Sequence, residues 1–465
     1  MKYPLGEKRF EDHLKQIVLN LKYEYEDGRI SAIKLLSIVI EKIPSKVLED
    51  HAQFFFLPLV LQLVNDDSEK CRVAVAKVIS SIFQLASIEI IQTLYDYIVR
   101  WFNDNEVEIS GIQRASAQLL GLVVESRPDF IKRGNNVKHL ISMLYEVLQK
   151  DFDTSFSENK WELGYFCLLC FEKINLILPK GTKDYIDIWQ AIIKWLSHPH
   201  LWIKQAAARI LNEHMSSISS ESFPKDESSF ISWIPGSLYD IAKNICQQID
   251  SLDDKLTPSF STLVIKILTW VVNAMHFNPA LCYREEPVIP EKNLDNSGDK
   301  KSKSKDPVAW VMNRLSNIAK NKGKIRRSII FKCFASFASS CEKQVVAPYL
   351  ETILVPLHRA YAEEENALNQ RKDTDDDPDT SNLDLIKDVM QVLEDRCGTE
   401  IFIKEYTVVK ARAKERRIKR KQDLASEVVN DPVTAAKRKI RKQERERERK
   451  KRRMNEKKLG LYRKH

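Results

Sequence analysis

One unit recurs along this chain and limits what it can become. An apolar segment of helical period leads into a short polar turn, and a second helical segment rich in Ala, Val, Ile and Leu follows. The clearest copy is residues 56–64, the turn Asn65-Asp66-Asp67-Ser68-Glu69, and residues 71–79. A second runs through 98–102, the turn Asn103-Asp104-Asn105-Glu106, and 114–121. A third runs through 192–196, the turn Ser197-His198-Pro199-His200, and 206–211. A helix pair of this kind cannot bury its apolar face alone, so each copy needs a neighbour stacked against it.

The turns fall near Lys22, Asn65, Asn103, Asp151 and Ser197, at steps of 43, 38, 48 and 46 residues. Helix-pair units of the HEAT and armadillo type repeat at about 40–47. Asn, Asp and Ser in the turns can accept from the unpaired N–H groups that open the second helix. Small residues such as Ala74, Ala76, Ala115, Ala117, Ala206, Ala207 and Ala208 allow close helix approach. Pro58, Asp66 and Arg72 follow the HEAT spacing, whereas the unit at Asn103 has no proline in its first helix and Ser110 where a basic residue would stand. Glycine is only 12 of 465 residues, too few for the φ > 0 turns of a sandwich, barrel or dinucleotide-binding fold. The expected fold is all-α: a HEAT/armadillo-type α-solenoid of helical hairpins with a long basic helical C-terminal tail.

Composition divides the chain further. Helical repeats are expected over 1–283, a disordered polar linker over 284–306, further repeats over 307–365, an acidic disordered loop over 366–382, terminal helices of the body over 383–409 and the basic tail over 410–465. Within this scheme helices are expected at about 236–250, 256–276, 307–321, 325–340 and 343–365. The two linkers are too poor in apolar residues to offset their ordering entropy.

Charge is separated along the chain. Residues 410–465 hold 24 Lys+Arg and 8 Asp+Glu, a net of +16, and the whole chain is +9, so residues 1–409 carry −7. The candidate RNA-binding or nuclear-targeting cations are Arg416, Arg417, Lys419, Arg420 and Lys421, then Lys437, Arg438, Lys439, Arg441 and Lys442, then Arg449, Lys450, Lys451, Arg452 and Arg453. Asn430-Asp431-Pro432 separates the first cluster from the others, and Asp at an N-cap with Pro at the first helical position is a helix-start signal. A phosphate backbone is the simplest partner for such a segment. Aromatic residues are absent until Tyr462, so stacking on bases and sequence readout are not expected. Import alone, or an acidic protein partner, are the other readings of the same residues.

No catalytic, metal or cofactor site is expected. Cys167 and Cys170 form a CxxC inside an apolar helix with no second ligand pair nearby, and all eight cysteines should be thiols. His198 and His200 are expected as turn residues, Asp375, Asp376 and Asp377 as loop, and Trp101, Trp195, Trp202 and Trp270 as packing between repeats. The phosphate-loop, dinucleotide, zinc-protease and nucleophile-elbow motifs are missing. The start of the chain has no apolar export region, and no stretch of about 18 uninterrupted apolar residues occurs. No membrane partner and no small-molecule substrate is expected.

The stretch from Ala425-Ser426-Glu427-Val428-Val429 through Asn430-Asp431-Pro432-Val433-Thr434 to Ala435-Ala436-Lys437-Arg438-Lys439 resembles the terminal pattern of the small-subunit processome component 20 (down-regulated-in-metastasis) family. That pattern has an apolar pair, an Asn-Pro break, paired alanines and a Lys/Arg run; here Asp431 is inserted in the break. The resemblance implies a carboxyl-terminal piece of a much longer nucleolar HEAT-repeat protein. It also implies a non-catalytic scaffold in the U3 small-nucleolar-RNA-containing pre-ribosome, supporting pre-rRNA processing toward 18S rRNA. Pre-rRNA, the U3 particle and other processome proteins would be its partners. A protein-only solenoid adaptor, of transport-receptor or phosphatase-scaffold kind, with the tail as an import signal, is the alternative. In a shortened solenoid the isolated chain is expected to aggregate unless residues 1–21 cover the apolar face of the first repeat.

Overall fold

The computed structural model describes residues 7–104, 110–154, 161–178, 185–218, 229–251, 258–283, 306–321, 324–371 and 381–462. Every regular element among them is helical. In chain order they are α1 (Glu7–Asn20), α2 (Glu26–Lys42), α3 (Ser45–Asn65), α4 (Glu69–Leu85), α5 (Ile88–Asn103), α6 (Ser110–Ser126), α7 (Pro128–Ile131), α8 (Asn136–Thr154), α9 (Trp161–Ile177), α10 (Ile186–Trp195) and α11 (Leu201–Ser216). Then come α12 (Phe230–Trp233), α13 (Ser237–Ser251), α14 (Pro258–Phe277), α15 (Pro307–Asn321), α16 (Lys324–Ser340), α17 (Lys343–Val346), α18 (Leu350–Arg371), α19 (Ser381–Cys397), α20 (Thr399–Asn430) and α21 (Pro432–Tyr462).

These helices pair as antiparallel hairpins and stack in two layers. The second helices of the hairpins, α2, α4, α6, α9, α11, α14, α16 and α19, pack each on the next and form one layer. The first helices form the other, with the short α7, α12 and α17 in the turns between hairpins. One apolar core runs the length of the stack, from Leu14 and Leu21 under α1 and α2 to Phe402 and Val409 in α20. This is the all-α solenoid that the spacing predicts.

The turns work as capping chemistry requires. Ser68 caps α4 by accepting from Cys71 N. Asp66, with its carboxylate fully buried, accepts from Ser68 N at 2.8 Å and from Gln62. Arg29, at the start of α2, reaches across one repeat and holds Asp66 in a fork, Nε to Oδ2 at 2.8 Å and Nη2 to Oδ1 at 2.9 Å. Burial raises the Asp66 pKa, but Arg29, Ser68 N–H and Gln62 outweigh it and hold the carboxyl below its usual range. Arg29 also donates to the carbonyls of Tyr23 and Glu24 in its own turn. Arg72 does the same one repeat later, to Asp66 O and Asp67 O. In the next unit, which lacks the basic residue, Gln113 takes over and donates to Asp104 O at 2.6 Å. The irregular copy therefore satisfies the same orphan carbonyls with a different side chain.

Several boundaries differ from the sequence reading. The turn expected near Asp151 lies later, because α8 continues to Thr154; aspartates lower helix propensity without ending a helix as Pro or Gly does. The helix expected over 343–365 is broken into α17, a 3-10 turn at Ala347–Tyr349 and α18, because Pro348 has no N–H to give. Both ends of the acidic loop expected over 366–382 are helical, since α18 extends to Arg371 and α19 starts at Ser381. Residues 284–305 and 372–380, including Asp375, Asp376 and Asp377, lie outside the described residues. Asp306, assigned to the polar linker, is instead the residue that opens α15: its carboxylate accepts from Val308 N at 3.0 Å and from the Tyr349 hydroxyl. Helices α3 and α14 have no uninterrupted apolar run of 18 residues, yet their length and mean hydropathy are enough to cross a membrane. Here both pack into the stack, through Ala52, Phe55 and Leu59 and through Leu268, Val271 and Ala274.

The cysteines and histidines lie where packing places them. All eight cysteines are buried and free, and burial pushes Cys170 up to about 12 and Cys341 up to about 11, so these thiols stay protonated. His198 is buried in the turn after α10 with its ring stacked on Trp195 at 5.1 Å and Nδ1 accepting from His200 N. Burial first, then His200 and Lys204, push its pKa down to about 4. A folded pKa below the free value of about 6.5 means stability present above pH 6.5 and lost as pH falls toward 4. The melting temperature is therefore expected to fall between pH 7 and pH 5, and H198Q to flatten part of that slope. An identical pH dependence in the variant would show that His198 is not its source.

Candidate nucleic-acid interface

The site is built outward from a single glycine. Gly398 has φ +91°, a conformation in which a side chain would be strained. Its N–H closes α19 on Glu394 O at 2.8 Å, and its C=O opens α20 by accepting from Phe402 N at 3.0 Å. One residue thus ends one helix and starts the next, and it lays α20 back along α18. Phe402 and Val409 are buried there, and Tyr406 meets His358 edge to face.

The sequence reading began the tail at 410. The structure has no break there: α20 runs unbroken from Thr399 to Asn430. What changes near 410 is burial. Lys410 sits over the Tyr406 ring, with Nζ 4.7 Å from its centroid, and Arg412 pairs with Glu351 at the start of α18. Arg412 ties the helix to α18, while Lys410 covers Tyr406 of its own helix, which itself packs on His358 of α18. Beyond them, Arg416, Arg417, Lys419, Arg420 and Lys421 are exposed on α20. Near this root, burial and then the charges of Arg416 and Arg359 lower the pKa of Lys320. An anion bound there would relieve that repulsion.

At the break, Asp431 takes φ −141° and ψ 76° and its carboxylate accepts from Thr434 N at 3.0 Å, so Asp431 and Pro432 open α21 as cap and first residue. Glu427 of α20 pairs with Arg438 of α21 across the break. Lys437, Arg438, Lys439, Arg441, Lys442, Lys450 and Lys451 are exposed along α21. Arg449, Arg452 and Arg453 belong to the same helix, and their side chains lie outside the described residues.

At 100° per residue the cations do not ring the helices evenly. Arg416, Arg417, Lys419, Arg420 and Lys421 cover one broad sector of α20 and leave Ala411, Ile418, Ala425 and Val429 on the other side. On α21, Lys437, Arg438, Lys439, Arg441 and Lys442 cover one side, and Val433, Ala436 and Ile440 form a narrow stripe opposite. The sequence reading counted the cations and missed these exposed apolar stripes. Their signal was present in the i, i+3, i+4, i+7 spacing but is weak beside so many charges.

Across the sequence, residues 112–456 match the family model described as Small subunit processome component 20 homolog, C-terminal. The chain belongs to this family. The match takes in α6 to α20 and most of α21, so body and tail are parts of one family unit. The chain is similar to U3 small nucleolar RNA-associated protein 20 of Schizosaccharomyces pombe, at 26% identity over 462 residues, covering 94% of this chain and 16% of that protein. It is similar also to U3 small nucleolar RNA-associated protein 20 of Saccharomyces cerevisiae, at 26% identity over 470 residues, covering 96% of this chain and 17% of that protein. The chain therefore spans about a sixth of the length of these relatives. Among solved structures, one of importin beta is 12% identical, covers 85% of this chain and 44% of its own, and has a TM-score of 0.44.

Proposed function

We propose that this chain is a non-catalytic scaffold of the small-subunit processome, a nucleolar particle containing U3 small nucleolar RNA, where it supports pre-rRNA processing toward 18S rRNA. The stacked hairpins provide surfaces for other processome proteins, and the tail holds RNA. Membership of the processome component 20 family and similarity to the two yeast U3 small nucleolar RNA-associated proteins support the setting. The observation that carries the RNA role is the exposure of twelve candidate cations on helices that leave the acidic body after Arg412. Apart from Arg438, which pairs with Glu427, they are available for phosphate instead of being neutralised within the fold. The grip is electrostatic and indifferent to sequence: each phosphate neutralised releases condensed counterions.

A salt titration of RNA binding tests this. The full chain is compared with a variant in which Arg416, Arg417, Arg420, Lys437, Lys439 and Lys442 are replaced by serine. On single-stranded RNA the slope of log affinity against log salt is expected to fall by about 0.7 for each phosphate that the variant no longer neutralises. An unchanged slope would overturn the RNA role. Loss of nuclear entry with RNA binding intact would favour the adaptor reading, in which the tail is an import signal.

A further inference from the structure

The tail changes character at its bend. Residues 422–436 contain Asp423, Glu427 and Asp431 and not one Lys or Arg, although dense cation clusters lie on either side. A phosphate backbone gains nothing from this stretch and is repelled by it. Yet it is the most apolar exposed part of the tail. Val429 is 79% exposed, Val433 61% and Val428 60%, and Ile440 continues the α21 stripe at 54%. Side chains of this kind exposed together, inside a segment that is otherwise strongly polar, mark a binding surface.

The bend is also held in a defined shape. Asp431 caps α21 through Thr434 N, and the Glu427–Arg438 pair ties the two helices together across the break. Two of the three acids are thereby engaged within the tail. Val429 and Val433 are exposed at the bend beside Asp423, Ser426 and Asn430, and cations flank the stretch at 416–421 and 437–442.

We propose that this bend docks a folded protein partner through an apolar groove whose two ends are rimmed with carboxylates. Val429, Val433 and Ile440, from the apolar stripes of the two helices, enter the groove, as the apolar face of an amphipathic helix does. The cation clusters meet the acidic rim and set orientation and encounter rate more than affinity. The tail then carries two contacts in one segment: protein at the bend and RNA along the charged flanks.

Site-specific photo-crosslinking in cells tests the proposal, with benzoylphenylalanine placed in the full chain at Val429 and, as a control, at Lys419. The expected result at Val429 is one discrete, RNase-resistant adduct with a different protein, abolished by V433Q together with I440Q. With the adduct's partner purified, that double variant is expected to bind it at least tenfold more weakly, and binding of the unaltered chain to weaken as salt rises. Both substitutions are neutral and on exposed positions, so helix content by circular dichroism should be unchanged, as should the salt slope for RNA. The unchanged RNA slope separates failure here from failure of the RNA role. An RNase-sensitive adduct at Val429, an adduct of two copies of this chain, or no adduct would each overturn the proposal.

Discussion

Trp195→Ala is expected to destabilise the body by about 3–5 kcal/mol, the range for removing a buried aromatic side chain. Trp195 is 1% exposed at the end of α10 and does three things at once. Its Nε1 donates to Leu148 O at 3.0 Å, joining α10 to α8 of the preceding hairpin. Its ring face supports His198. Its far edge fills the space over Gly164 in α9, where a Cβ would lie 2.5 Å from Cη2. Alanine leaves a cavity and removes the side-chain bond that joins α10 to α8. Urea unfolding of the full chain checks this. In a stack where each repeat leans on its neighbours, damage at one joint is expected to split the single transition into two. A loss under about 1 kcal/mol with one sharp transition would mean the joint is not where the fold is held.

Arg29→Ala is expected to cost about as much, roughly 3–5 kcal/mol, because it strands a buried carboxylate. The Asp66 side chain has no exposed surface, and Ser68 N–H and Gln62 satisfy only part of its charge. Replacing both members with apolar residues of similar volume is expected to recover most of the loss, as is usual when a buried pair is removed whole. Hydrogen exchange at the start of α4 reports the damage locally. If R29A alone melts like the unaltered chain, the fork between the first two repeats is ornamental to stability.

The hairpin repeat was legible in the sequence because it depends on local chemistry. Apolar period sets each helix, and turn residues such as Ser68 and Asp66 satisfy groups within a few positions. The Asp431-Pro432 break was legible for the same reason, and Asp306-Pro307 carries the identical signal inside a stretch whose polarity hid it. What could not be read were pairings set by the stack. Asp66 stood out in its turn, but its partner Arg29 is 37 residues away. Gln113 gave no hint that it substitutes for an arginine. In the candidate interface, the charges of the tail were plain, while the root was not. Composition changes at 410, but Arg412 belongs to the body through Glu351 of α18. Only the position of α18 reveals this.

That root has a consequence for how the appendage meets its ligand. An isolated charged helix must first form a costly nucleus, and short ones rarely do so in water. In α20 the nucleus already exists, since residues 399–409 are fixed by their burial on α18 and α19. The following 21 residues simply propagate it, extending a rod about 30 Å long at 1.5 Å per residue. Its arginines and lysines are thus preset in spacing before any polyanion arrives, so little chain entropy is left to lose on contact. Gly398 aims that rod, since its φ of +91° is one that any other residue would adopt only under strain.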